Sequence, residues 1–354
     1  MATIFVTGGA GFIGSNFVRY WLREHPDDTV VNYDLLTYAG NERNLDDVAA
    51  AHGERYQFVR GDIGDHDKVL AVLQRWRPGV IVNFAAESHN SRGVIDPSAF
   101  FRTNVLGTQR LLDAARASGV DRFHHISTCE VFGDLPLDDP GSFSEQSPYR
   151  PRTPYNASKA GADLMVRAYS ETFGLPVTIS ICSNNYGPFQ FPEKVIPVFA
   201  VSALRGRQLP LYRSSRHRRE WLHVEDHCRA IDAILARGRA GETYNVGSGV
   251  ELEVEEIADL VLGTLGLDAS AKKYVPDRPG HDRRYLLDSS RIRRELGWSP
   301  QVPVERGIAE TVLWYRDHPV WWEPLLDRRT IDEEAWQPDE KGQPPAKGRL
   351  AASR

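Results

Sequence analysis

Tyr155 and Lys159 stand four residues apart in the run P-Y-N-A-S-K-A. On a helix that spacing turns both side chains the same way. An ammonium beside a phenol favours the phenolate and lowers its pKa. Such a tyrosine takes a proton from a sugar hydroxyl while a hydride leaves the same carbon. The pair is common on solvated helices and says little by itself. It gains meaning from Ser127-Thr128, which close an apolar run upstream, because Thr128 would hydrogen-bond the same substrate oxygen.

A hydride needs a carrier, and the N-terminal run T-I-F-V-T-G-G-A-G-F-I-G-S at residues 3–15 has the form of a carrier site. An apolar strand breaks into glycines and resumes with helical periodicity through Phe12, Ile13, Phe17, Val18 and Trp21. Gly8 allows the turn, Gly11 lets a pyrophosphate approach the backbone, and Gly14 lets the helix pack against the strand. The helix N-terminus offers free N–H groups and a positive dipole end to the phosphates. A second apolar run, Val30 to Tyr33, ends at Asp34, about 20 residues beyond the last glycine. A carboxylate there accepts from ribose hydroxyls and repels a 2′-phosphate, so the carrier is read as NAD rather than NADP.

The elements that hold these residues alternate. Runs at residues 58–60, 80–84, 123–127 and 177–181 read as strands, the one at 80–84 as buried. Between them, residues 65–76, 103–117 and 155–172 read as helices, with Thr103-Asn104 as a start that can cap the second. This is the pattern of an α/β doubly wound parallel sheet, whose ligands bind beyond the strand carboxyl ends. The residues to inspect are therefore Gly8–Gly14, Asp34, Asp62, residues 85–92, 127–130 and 183–186. After Tyr186 the pattern shortens, and residues 187–327 read as a smaller substrate-side domain interleaved with the first, residues 1–186. A strand near 243–249 is expected to return to the sheet. Residues 328–354 turn polar and proline-bearing, and are expected to be disordered or to pack on a partner subunit.

The chain has 354 residues, 41% hydrophobic and 26% charged, with a net charge of −5, so no overall field favours nucleic acid. Cys129, Cys182 and Cys228 are far apart and form no metal-ligand spacing. That fits a reducing cytoplasm, and no metal is expected. No apolar run approaches membrane length, and the first strand begins almost at Met1, leaving no room for a targeting peptide.

The motifs together resemble the extended short-chain dehydrogenases that modify nucleotide sugars, and within them the dTDP-glucose 4,6-dehydratases. The matching stretches include Y-D-L-L-T-Y-A-G-N at 33–41, A-A-E-S-H at 85–89, T-N-V-L-G-T at 103–108 and S-N-N-Y-G-P at 183–188. F-P-E-K-V-I-P at 191–197, V-E-D-H at 224–227 and R-P-G-H-D-R-R-Y at 278–285 are more specific than the glycines. The resemblance covers Met1 to about Leu326. It implies a Rossmann-type fold and an NAD kept bound through three steps: oxidation at C4, loss of water across C5–C6, and hydride return to C6. It implies cofactor contacts from Gly8, Gly11, Phe12, Ile13, Gly14, Asp34, Asp62, Ile63, Ala85, Ala86, Asn104, Tyr155 and Lys159. Substrate contacts fall to Glu87, Ser88, His89, Asn184, Asn185, Lys194, Arg219, His281, Arg284 and Tyr285. Residues 103–117 and 155–172 would form a two-fold homodimer interface.

The family places an Asp-Glu pair after the Ser-Thr strand end. Here Glu130 matches the base for the C5 hydrogen, and Cys129 stands where the acid should be. A thiol with a pKa of about 8.5 is protonated at neutral pH and is a serviceable donor. Three readings of Cys129 stay open: the acid, a small buried filler with water supplying the proton, or the mark of a changed product, a 5,6-alkene. Other departures cluster nearby, at Asn90-Ser91 and Gly93, Tyr212–Ser215 and His223, and bear on the hexose and the base. Arg213, Arg216 and Arg218 are either further phosphate cations or a solvated surface. A 4-epimerase and a catalytically silent nucleotide-sugar binder are the rival readings. Retention of Glu130 speaks against the first, and intact Tyr155 and Lys159 against the second.

Overall fold

The computed structural model describes residues 2–275 and 282–328. Seven parallel strands form the main sheet. In chain order they are β1 (Thr3–Thr7), β2 (Thr29–Asp34), β3 (Tyr56–Arg60), β4 (Val80–Asn83), β5 (Arg122–Thr128), β6 (Val177–Cys182) and, much later, β10 (Thr243–Val246). The spatial order is β10-β6-β5-β4-β1-β2-β3. Register is fixed by apolar pairs such as Ile4 with Val30 and Val80, and Phe123 with Val177. Helices cover both faces, so β1, β2 and β6 are buried nearly throughout, as their unbroken apolar runs require. The order turns between β1 and β4, which places a crevice at the carboxyl ends of those strands.

Between β6 and β10 lie the short strands β7 (Asn184–Tyr186), β8 (Leu209–Tyr212) and β9 (Arg218–His223). Beyond β10 come β11 (Glu251–Glu253) and β12 (Lys272–Val275). These make a three-stranded sheet, β11-β9-β7, and a two-stranded one, β12-β8. Helices Val195–Leu204, Val254–Leu265 and Val304–Asp317 pack with them around Phe199, Ile257, Ile308 and Tyr315. This second core is separate from the clusters under the main sheet.

Two helix starts position the site. Pro154–Phe173 is capped by Thr153, whose Oγ1 accepts from the Asn156 N–H at 3.2 Å, with Pro154 at the first position. The start expected at Thr103-Asn104 is corrected. Asp96 caps the chain at Pro97, accepting from the N–H groups of Ser98 and Ala99. The chain then stays helical through a π-helical stretch, Phe101–Gly107, into Thr108–Ser118. Asp96-Pro97 carries both a cap and a first-turn proline, and this stronger signal prevails over Thr-Asn.

Candidate active site

The glycine turn ends β1 and opens the helix Phe12–Glu24. Gly8 sits at φ 69°, a left-handed conformation that favours glycine, and a Cβ there would lie 2.6 Å from the Ala85 nitrogen. Gly14 has no room for a Cβ either, because the Gly8 carbonyl occupies that space. No side chain caps the Gly11 end of the helix, and its first turn holds no acidic residue, so the N-terminus is left for an anion. At the end of β2, Asp34 accepts from the N–H groups of Ala10 (2.9 Å) and Leu36 (2.7 Å). Burial pushes its carboxyl pKa up and these two donors pull it back. A turn that tolerates no Cβ, an uncapped helix start and a fixed carboxylate fit a dinucleotide with a free 2′-hydroxyl.

These residues open one end of a cleft of about 710 Å3. Its walls carry Gly8, Gly11, Phe12, Ile13, Gly14, Asp34, Asp62, Ile63, Ala85 and Ala86 on the side of β1 to β4. Thr128, Glu130, Tyr155 and Lys159 line its centre. Glu87, Ser88, His89, Asn184, Asn185, Lys194, Arg219 and Tyr285 line the rest. Residues far apart in the chain meet here because β4, β5 and β6 all end at the same edge of the sheet.

Thr128 ends β5 and lines the cleft together with Tyr155. Its Oγ1 accepts from the Glu130 N–H at 3.3 Å. Burial and the charge of Glu130 hold the phenol pKa well above its usual value. The lowering of the phenol pKa expected from Lys159 is corrected, since the phenol is raised instead. Lys159 Nζ donates to the Ile126 carbonyl at 2.6 Å and stands 3.2 Å from His125 Nε2. Below it lies buried Asp163, which accepts from Ser127 (2.6 Å) and Tyr149 (3.0 Å). The Lys159 pKa is lowered by burial and supported by Asp163.

Three further expectations are corrected. Cys129 is 1% exposed and packs in the core with Phe132 and Tyr285, and burial drives its thiol pKa far up. Asn104 is buried behind the cleft, where its amide holds both backbone groups of Glu87 (2.8 and 3.0 Å) and donates to Ser158 (2.8 Å). Arg284 grips Glu251 through two 2.7 Å bonds and donates to the carbonyls of Asp139 and Gly141, so its guanidinium is saturated away from the cleft. His281 lies outside the described residues. Arg213, Arg216 and Arg218 are exposed.

Glu193 and Asp282 were not singled out in the sequence, and Asn90 was noted there only as a departure. Asn90 donates to Glu130 Oε2 at 2.8 Å, and its own carbonyl oxygen accepts from Thr153 at 2.7 Å. Glu193 accepts from Tyr38 at 3.0 Å and lies 3.7 Å from His89, with burial pushing its carboxyl up to about 7. Asp282 lines the cleft beside Glu130. Only Asp163 had a readable signal, since it continues the helix face of Tyr155 and Lys159 by four residues.

A family model described as GDP-mannose 4,6 dehydratase matches residues 5–311, a span running from the glycine turn past Tyr285. The chain belongs to this family. Within it, a dTDP-glucose 4,6-dehydratase of Streptomyces niveus is 48% identical over 343 residues, 96% of this chain and 99% of that protein. A dTDP-glucose 4,6-dehydratase of Streptomyces griseus is 50% identical over 91% of this chain and 97% of its own length. Among solved structures, the dTDP-glucose 4,6-dehydratase DesIV of Streptomyces venezuelae, with NAD bound, superposes with a TM-score of 0.87. It is 50% identical over 91% of this chain and 99% of that one. Among the described residues no helix of this family member is long and apolar enough to cross a membrane.

Proposed function

We propose that the chain is an NAD-dependent dTDP-glucose 4,6-dehydratase, a hydro-lyase that yields a 4-keto-6-deoxy sugar nucleotide. The observation that carries this is the convergence of Thr128, Glu130 and Tyr155 on the cleft that opens at the glycine turn. The similarity to dTDP-glucose 4,6-dehydratases along almost the whole chain supports it.

The glycine turn, the Phe12–Glu24 helix start and Asp34 would hold the cofactor, which would supply hydride acceptance from C4 and hydride return to C6. Tyr155, in its phenolate form, accepts the C4 hydroxyl proton, and Thr128, beside it in the cleft, holds the same oxygen. A ketone at C4 acidifies the C5 hydrogen, and Glu130 removes it. Asn90 fixes Glu130 for that task by donating to one oxygen. Lys159 and Asp163 brace the end of β5 beneath Tyr155. Lys194 and Arg219 supply positive charge for the diphosphate at the far end of the cleft.

Incubation of the holoenzyme with dTDP-glucose, followed by NMR and mass spectrometry, tests the reading. A 4-keto-6-deoxy product lacking one water is expected. Unchanged substrate, or a C4 epimer, would contradict it. The domain division at residue 186, the homodimer and a cytoplasmic location belong to the same proposal. Leu106 and Leu164 are exposed on the two helical segments expected at the dimer axis, and Phe101 and Phe173 are exposed just beyond their ends. Three free, buried cysteines fit a reducing compartment.

A further inference from the structure

Loss of water across C5–C6 requires a proton for the departing oxygen, and Cys129, packed in the core, is a far weaker acid than a free thiol. Six carboxyl groups line the cleft: Asp34, Asp62, Glu87, Glu130, Glu193 and Asp282. Asp34 and Asp62 end β2 and follow β3, at the cofactor end, and both accept backbone N–H groups. Glu87 stands 3.7 Å from Arg92, and Glu193 is tied to Tyr38 and His89. Glu130 is the base. Asp282 remains.

Its side chain is almost fully enclosed, yet it faces the cleft, in the field of Glu130. The Tyr285 hydroxyl donates to Oδ2. Oδ1 has no hydrogen-bond donor among the described residues, with the Arg152 guanidinium 3.6 Å away. The segment is pinned from below, because Arg219 donates to the carbonyls of Asp282 and of Arg283 (2.9 Å). Burial and the charges of Glu130 and Asp134 push the Asp282 carboxyl up to about 6, against Tyr285 and Arg219. Asp282 therefore holds its proton to a higher pH than an ordinary aspartate, as a donor facing the substrate must.

We propose that Asp282 is the general acid of the elimination, a role that rests on the dehydratase reading above. As Glu130 takes the C5 proton, the C5–C6 double bond forms and the C6–O bond breaks. Asp282 gives its proton to the leaving oxygen, which departs as water. When hydride reaches C6, Glu130 returns its proton to C5. The proton Tyr155 took from the C4 hydroxyl balances the one Asp282 lost, and passes between them through water. The cycle is then neutral overall.

The test compares dTDP-glucose with its 6-deoxy-6-fluoro analogue, because fluoride leaves without being protonated. If the wild-type holoenzyme dehydrates neither substrate, the dehydratase reading fails before Asp282 is tested. Given wild-type turnover, Asp282→Asn is expected to lose about 100-fold or more in kcat on dTDP-glucose. On the fluoro analogue it should stay within about fivefold of wild type. Equal losses on both substrates, or none on either, would overturn the proposal. Should Asp282→Asn fail to fold, Cys129→Ala carries the test. An unchanged ratio of the two rates is expected, and a loss confined to the hydroxyl substrate would make Cys129 the acid and overturn Asp282.

Discussion

Glu130 is held at one oxygen by Asn90, and Asn90 is itself oriented by Thr153, the cap of the Tyr155 helix. Glu130 and the Tyr155 phenol are thus registered to the same helix start. Asn90→Val removes the donor while keeping a side chain of similar size. It should lower kcat about tenfold with KM nearly unchanged, since orientation rather than binding is lost. Steady-state kinetics on dTDP-glucose decide it. A rise in KM with kcat intact would place Asn90 on the sugar instead. Tyr155→Phe should cost about 10²–10⁴ in kcat, the range for a lost acid–base group. Arg284 makes the opposite case. Arg284→Met leaves Glu251 and two carbonyls unpaired, and should cost about 3–5 kcal/mol in denaturant unfolding while leaving dTDP affinity unchanged. Tyr155, Thr128, Asp34 and the glycines were legible because each follows a strand end or a fixed spacing. Arg284 was misread because a sequence shows a cation but not the carboxylate that saturates it. Cys129 shows the same limit: its neighbours in sequence are site residues, and only packing reveals that it faces the core.

Element by element, the strands were readable because a sheet covered on both faces demands unbroken apolar runs. Histidines inside two of the elements carry a pH dependence that no pattern announced. His124 on β5 bridges Thr178 (2.9 Å) and Ser180 (3.1 Å) on β6. His227, in the Val224–Arg237 helix, meets Asn185 Oδ1 at 2.9 Å. Burial lowers both to about 3. The unfolded chain takes up these protons below pH ~6.5 while the folded chain does not. The stability they contribute is whole above that pH and falls as pH drops from ~6.5 towards 3. Thermal melts between pH 7 and 5 should show the decline, and His227→Gln should flatten it. An equal slope in the variant would contradict the assignment. The misplaced helix start has a different cause. Residues 103–108 are helical as read, but the π-helical stretch continues a helix begun at Pro97. Local cap chemistry at Thr103 does not disclose that the turn before it is already helical.

Over the whole molecule, the chain leaves the main sheet after β6, builds the second core, returns as β10 and leaves again. The cleft lies where these passages meet, so residues as distant as Gly8 and Tyr285 share one wall. That juxtaposition is beyond any local pattern, and it explains why the cofactor end was read more fully than the substrate end. The cofactor end is a single βαβ unit; the substrate end draws on β7, β9 and the segment from Asp282. The exposed Leu106 and Leu164 bear on assembly. Wild type should sediment as a dimer, and Leu106→Glu with Leu164→Glu should give monomer. A monomeric wild type would contradict the homodimer. The central claim is that Glu130 and the cleft around it complete a 4,6-elimination although Cys129 lies in the core. It is tested most directly by the NMR spectrum of the product from wild-type enzyme and dTDP-glucose. A C6 methyl group beside a C4 ketone or its hydrate is expected. Alkene protons at C6 with the C4 hydroxyl restored would contradict it, and would mean that the returning hydride goes to C4.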